Sequence, residues 1–258
     1  MGGFLLLKKV RDDGKYTCRR FMRDLTMFSR SASPWMKEIK SCQDEIVTLN
    51  PNPRYMQTYR GLEPLFWSNI PKWIEKDNSN HTVKRCLDIG CGFGTLALYC
   101  KRLLNCEVYA TDFVDDFSTP HSLAKKYNWF FKVNNIELDN FPWDVKFDII
   151  LFTEVLEHFN FHPVPTLKKK IRDLLSENGK LYLSTPDAAQ WGRLTKYYSN
   201  LNELPFPTKG LPVVDDHVYV YTKKEMLQVI DEAGFKVHRF GYSPGLVSRH
   251  FNIALTKE

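Results

Sequence analysis

At 258 residues with 43% hydrophobic content, the chain can bury one ordinary core with an extension, or two small ones, and wholesale disorder is excluded. A net charge of +6 is compatible with anionic partners but too mild to define a nucleic-acid binder. The apolar run at residues 4–7 is too short for a signal-peptide core or a membrane span. Leu6 stands where myristoylation needs Ser or Thr. Six cysteines form no C-x-x-C pair, which argues against structural zinc and for a reducing, cytoplasmic compartment.

Residues 1–50 are basic, with weak periodicity and some helix expected. Residues 51–76 are rich in aromatics and prolines. There Leu62, Leu65, Phe66, Ile70 and Trp73 take roughly helical spacing, interrupted by Pro71. This stretch packs on the domain C-terminal to it, and Tyr55, Gln57 and Tyr59 are placed to close over a ligand. From residue 84 strands and helices alternate. Strands are predicted at VKRCLDIG, CEVYATD, WFFKVNN, FDIILFTEVL and GKLYLSTP. Helices are predicted at GTLALYCKRLL, HSLAKKYN and PTLKKKIRDLL, the last ended by Asn178-Gly179 as a C-cap. The near-continuous apolar FDIILFTEVL reads as a strand covered on both faces. Cys86, in the first strand, reads as a small apolar filler.

Residues 186–221, with Pro205, Pro207, Pro212 and many aromatics, break the alternation and read as an insertion over the site. After them come a helix, TKKEMLQVIDEAGF, and two strands, FKVHRFGYS and FNIALTKE. The last two imply a hairpin and hence antiparallel pairing. The whole pattern is that of a doubly wound α/β sheet with right-handed crossovers, whose ligands lie beyond the carboxyl ends of the strands.

CLDIGCGFGT places Gly90, Gly92 and Gly94 at one such end, where glycine permits sharp turning and close approach of a ligand. The spacing is G-x-G-x-G, not the dinucleotide G-x-G-x-x-G. Asp88 stands two residues before Gly90, where it would repel a pyrophosphate. It suits a cationic, donor-rich ligand, and S-adenosylmethionine has that chemistry. Asp112 ends the second strand 18 residues after Gly94, close to the ~20-residue offset of a ribose-binding acid.

These motifs resemble class I S-adenosylmethionine-dependent methyltransferases, well over about residues 84–185 and more loosely over 216–258. LDIGCGFG looks like the family's first motif, ATD the second, VNNIE the third, and FDIILFTEVLEHF with GKLYLSTPD the fourth and fifth. The resemblance implies a seven-stranded sheet of order 3-2-1-4-5-7-6 with one antiparallel strand. It implies an N-terminal extension and lid over residues 1–76, and a methyltransferase domain over 77–258 carrying the acceptor-site insertion at about 186–221. It places the cofactor against Asp88, Gly90, Cys91, Gly92, Gly94, Thr111, Asp112, Phe113, Asn135, Ile136 and Thr153. Asn135 stands where the family usually has Asp.

The fourth strand ends in Glu154-Val155-Leu156-Glu157-His158. A helical turn starting here would put Glu154, Glu157 and His158 on one face. Three roles are open: a structural cap, general base catalysis by His158, or metal binding. E-x-x-E-H with the later His217 resembles small-RNA 2′-O-methyltransferases, and the E-x-x-E-H resembles quinone-pathway O-methyltransferases. The expected catalytic residues are His158, His217 and Glu154. Glu154, Glu157, His158 and His217 form the candidate ligand set for a divalent ion, Mg²⁺ or Mn²⁺. Trp191, Tyr197, Tyr198 and Phe206 are candidates for an acceptor pocket, and Asp187 for an acceptor contact. His121, His162, His238 and His250 read as ordinary surface or core residues.

The expected activity is O-methylation of a small-molecule or saccharide hydroxyl, as in surface-glycan or secondary-metabolite biosynthesis. The alternatives are metal-assisted methylation of an RNA ribose 2′-hydroxyl and a non-catalytic, methyltransferase-like binding subunit.

Overall fold

The computed structural model describes residues 34–80, 82–115, 118–191, 197–243 and 250–257. Cys18 and the basic stretch before residue 34 lie outside them. Helix α1 (Pro34–Leu49) buries Trp35, Met36, Ile39, Cys42, Gln43 and Ile46. That three-to-four spacing is an amphipathic helix hidden among charged residues of both signs. A π-helical turn (Tyr55–Tyr59) runs into α2 (Arg60–Phe66), with α3 (Ile70–Asp77) next in the chain. Pro71 falls in the first turn of α3, where its missing N–H costs nothing. It opens a helix rather than interrupting one, since α2 already ends at Phe66.

The alternating segment folds as β1 (Arg85–Ile89), α4 (Thr95–Leu104), β2 (Glu107–Asp112), α5 (Ser118–Tyr127), β3 (Phe130–Val133) and β4 (Phe147–Thr153). A 3-10 turn (Leu156–His158) leads to α6 (Pro163–Thr166), a π-turn (Leu167–Ile171) and α7 (Arg172–Leu174). Then come β5 (Leu175–Pro186), α8 (Ala188–Trp191), a 3-10 turn (Leu201–Glu203), α9 (Lys223–Glu232), β6 (Phe235–Tyr242) and β7 (His250–Lys257).

The sheet order is β3-β2-β1-β4-β5-β7-β6. β1 to β5 are mutually parallel, and β7 runs antiparallel to both β5 and β6. The one reversed strand therefore lies second from the edge, inside the predicted hairpin.

Alternation along the strands divides the core by face. Leu87, Ile89, Ile150 and Phe152 join one cluster with α9. Cys86, Ile149 and Leu151 join the other with α1, α3 and α4. β4 is buried on both faces, as its sequence predicts. The α6–α7 stretch does not end at Asn178-Gly179. Its C-cap is Leu175, in extended conformation, and Gly179 lies within β5. A Cβ on Gly179 would stand 2.7 Å from the Phe147 carbonyl oxygen, so close strand packing at the Phe147–Ile149 bulge requires the glycine. Thr222 and Glu225 form a capping box that starts α9. Among the described residues no helix is long and apolar enough to cross a membrane.

Candidate active site

The loop between β1 and α4 is built by three glycines in the left-handed region, with φ of 68° at Gly90, 51° at Gly92 and 80° at Gly94. The amides of Gly90 and Cys91 donate to the Thr111 carbonyl at 2.8 and 3.0 Å, which ties the loop to the end of β2. A Cβ on Gly94 would meet Leu123 at 2.9 Å, whereas one on Gly92 would project into open space. Gly94 is therefore glycine for packing, and Gly92 faces a cavity. The Gly92 amide donates to Asp112 Oδ2 at 2.8 Å. Burial raises the Asp112 carboxyl, and the amides of Gly92, Val114 and Phe113 partly offset this.

The cavity has a volume of about 540 Å³, in the range of small-molecule sites. Of the residues expected at the cofactor, Gly90, Gly92, Asp112, Phe113, Asn135 and Ile136 line it. Asp88, Cys91, Gly94, Thr111 and Thr153 do not; they stand in or behind the frame that shapes it. Asp88 is 3% exposed. Its carboxylate takes the Ala97 amide inside the first turn of α4. Burial, and after it the charges of Asp112 and Glu63, pushes it well above the usual carboxylate range. Asn135 is partly committed elsewhere, because its Oδ1 accepts the amides of Glu137 and Leu138 at 3.0 and 3.3 Å. Beside it Asn134, also on the wall, has a buried Oδ1 without a hydrogen-bond partner.

At the other end Glu154, Glu157, His158 and His217 line the same cavity. Glu154 does not begin a helical turn. It sits before one at φ 58°, a strained conformation for a side chain with a Cβ. Its amide donates to the Ser184 carbonyl at 2.9 Å and its Oε1 accepts from the Ser184 hydroxyl at 2.7 Å. The 3-10 turn then presents Glu157 and His158. Glu157 Oε2 accepts from Thr185 Oγ1 at 2.9 Å, and Oε1 is buried without a hydrogen-bond partner. Burial, then the Glu154 charge, pushes Glu157 well above its ordinary value.

The insertion delivers His217. The amides of Val218 and Tyr219 donate to the Glu157 carbonyl at 2.7 and 3.1 Å. Asn160 bonds the Val214 backbone through both ends of its side chain. These ties leave the His217 and His158 rings edge to face at 4.8 Å. Burial, then the neighbouring His158, lowers the pKa of His217, so the ring is a neutral base at neutral pH.

Ligand atoms of Glu157, His158 and His217 lie within 4.8 Å of one another. Glu154 falls outside that cluster. Its Oε2 pairs instead with Nδ1 of His250 at 2.9 Å. His250, 1% exposed and packed on Phe66, lines the cavity and is no ordinary core histidine. No spacing motif could have exposed it, since the antiparallel β5–β7 pairing sets it opposite Pro186.

The remaining acceptor candidates scatter. Asp187 is buried, with Oδ1 accepting the Ala189 amide at 2.9 Å. Tyr197 and Phe206 are exposed, Tyr198 packs against the core, and the Trp191 side chain lies outside the described residues. Arg54, Thr58, Tyr59, Leu62 and Phe66 form one wall of the cavity.

A mixed sheet of this order with one reversed strand, and with a glycine turn and a strand-end acid at its carboxyl edge, defines a class I S-adenosylmethionine-dependent methyltransferase. A model of the methyltransferase-domain family matches residues 60–239, and the chain belongs to that family. No curated protein matches it. Solved structures share the fold at low identity. The PH0226 protein of Pyrococcus horikoshii is 18% identical, with TM-score 0.56 over 81% of this chain and 93% of its own. A methyltransferase of Clostridium acetobutylicum is 13% identical, with TM-score 0.52 over 74% and 90%. A TehB-like methyltransferase of Corynebacterium glutamicum is 15% identical, with TM-score 0.52 over 79% and 96%.

S-adenosylmethionine, the family's methyl donor, suits the residues present. Gly92 leaves room for close approach, Asp112 retains acceptor capacity for hydroxyls, and the buried Asn134 Oδ1 lacks the donor that a ring amino group would supply.

Proposed function

We propose that the chain methylates a hydroxyl of a small-molecule or saccharide acceptor, in surface-glycan or secondary-metabolite biosynthesis within the cytoplasm. The observation that carries this reading is the junction of two ends in one cavity. The glycine loop and Asp112 form the first, and Glu154, Glu157, His158, His217 and His250 form the second. The sulfonium supplies an already activated methyl group, so the protein's task is orientation and proton removal. His217, neutral and next to His158, accepts the acceptor's hydroxyl proton, and the Glu154–His250 pair fixes the floor beneath it. The N-terminal segment and the insertion at about 186–221 exclude water. Residues 1–76 are read as extension and lid, and 77–258 as the catalytic domain.

Glu157, His158 and His217 are the residues that would hold Mg²⁺ or Mn²⁺, which would act there as a Lewis acid on the hydroxyl oxygen. That cluster favours a second reading, methylation of an RNA ribose 2′-hydroxyl.

The test is transfer from labelled donor to a panel of sugars, phenols and short RNA, with and without Mn²⁺ or Mg²⁺ and after EDTA. Transfer to a small hydroxyl compound, reduced about tenfold or more in His217→Ala, is the expected result. Transfer only to RNA establishes the second reading. Activity unchanged by EDTA removes the metal. Donor binding with no transfer to any acceptor points to a binding subunit.

A further inference from the structure

Glu137 ends the VNNIE stretch and Asn160 follows EVLEHF. Both line the cavity, and both are buried. The Glu137 carboxylate accepts two consecutive backbone amides, Asn160 at Oε2 and Phe161 at Oε1, each at 3.0 Å. Charge-assisted bonds to a pair of buried amides make a stiff joint. The stretch that bears Glu137 is itself held. The Asn134 amide donates to the Asp112 carbonyl at 2.8 Å. Lys170 Nζ, on the π-turn of residues 167–171, donates to the carbonyls of Ile136, Glu137 and Asp139 at 2.8, 3.0 and 2.8 Å.

Asn160 carries the joint across to the insertion. Its Oδ1 accepts the Val214 amide at 2.8 Å and its Nδ2 donates to the Val214 carbonyl at 3.0 Å. The side chain thus pairs with one residue's backbone as a neighbouring strand would. Nδ2 also donates to the His158 carbonyl at 3.1 Å. His217 lies three residues past Val214. On its far side, Val218 to Tyr221 are buried. On its near side, Leu211, Val214 and Asp215 are exposed, so hydrogen bonds rather than apolar burial hold the chain there. Those holds are the Asn160 pair and a 3.4 Å contact of Asp215 with His158 Nδ1. A continuous path therefore runs from the wall where Asn134 Oδ1 lacks a partner, through Glu137 and Asn160, to the segment that presents His217.

We infer that Asn160 is a positioning residue which, with Glu137, couples the two ends of the cavity, so that a donor filling the Asn134–Glu137 wall fixes the segment carrying His217. Ordering the first wall lowers the cost of ordering the second, and the coupling free energy is shared by both ends. The role of His217 as base rests on the hydroxyl-transfer reading above; the coupling does not.

Amide hydrogen exchange on the full chain, with and without S-adenosylhomocysteine at a concentration shown by calorimetry to saturate each variant, tests this. The product fills the donor end and needs no acceptor. In wild type it is expected to slow exchange at the Val214, Val218 and Tyr219 amides about fivefold or more. Asn160→Asp keeps the accepting oxygen but turns a second oxygen toward the Val214 carbonyl, and there the slowing is expected to fall below about twofold with product bound. Equal slowing in Asn160→Asp and wild type overturns the inference, because Asn160 is then a structural tie and the product protects the segment by another route. No slowing in wild type overturns it as well. Should Asn160→Asp fail to fold by circular dichroism, Val214→Pro, which removes the same amide from an exposed residue, takes its place with the same expected and overturning results. No acceptor enters the measurement, so its failure leaves the hydroxyl-transfer reading standing, and failure of that reading leaves this result unchanged.

Discussion

Glu154 shows how much of this site is decided at single residues. A glutamate at φ 58° costs about 1–3 kcal/mol relative to relaxed backbone, and the surroundings offset that cost with the Ser184 contacts and the His250 pair. Its carboxylate reaches His250 of β7 while its charge still acts on Glu157 and His217. His250→Ala is expected to lower the transfer rate about tenfold or more while leaving donor affinity near wild type, because Asp112 and the glycine loop are untouched. Single-turnover rates and donor titrations measure the two quantities separately. The E-x-x-E-H pattern was legible in the sequence, but its division between two histidine partners was not. That division depends on which strand returns beside β5.

Among the elements, β4 and β5 set the height of Glu154 and Glu157 at the acceptor end. β4 carries Glu154 to the sheet edge, and β5 supplies Ser184 and Thr185 beneath Glu154 and Glu157. Their alignment starts at the bulge by Phe147, where Gly179 lets the two backbones approach. Gly179→Ala is expected to destabilise the fold by about 1–3 kcal/mol, read as a lower urea midpoint with an unchanged slope. The dipeptide Asn178-Gly179 has the composition of a helix C-cap, and composition cannot tell a left-handed cap from a crowded strand. The buried periodicity of α1 was present as Trp35, Ile39, Cys42 and Ile46. It was diluted by Lys37, Lys40 and Asp44, which are exposed, and by Glu38 and Glu45, which turn in to pair with Arg102 of α4.

The whole molecule is closed by a tie between its first and last parts. Asp77, at the end of α3 with a side chain 2% exposed, is ion-paired with Arg239 of β6 and accepts from Tyr182 OH of β5 at 3.2 Å. Burial alone would raise its pKa, but the Arg239 bonds prevail and hold it below the usual carboxylate range. A depressed carboxyl stabilises the fold above its unfolded pKa and loses that contribution as pH falls through the folded value. Asp77→Asn is therefore expected to lower the melting temperature at pH 7 by about 5 °C or more, with the gap to wild type shrinking as the solution is acidified below about pH 4. Differential scanning calorimetry across pH checks both. The strand order is what the family resemblance implied. By itself the sequence determined the alternation of strands and helices, the glycine loop and the acids on either side of it. These rest on local periodicity and on turn chemistry readable within ten or twenty residues. Only the tertiary structure decided that Asp88 backs the cavity, that Asn160 holds the Val214 backbone, and that His250 partners Glu154. Each of those contacts joins residues far apart in the chain, and packing brings them together without leaving a spacing in the sequence.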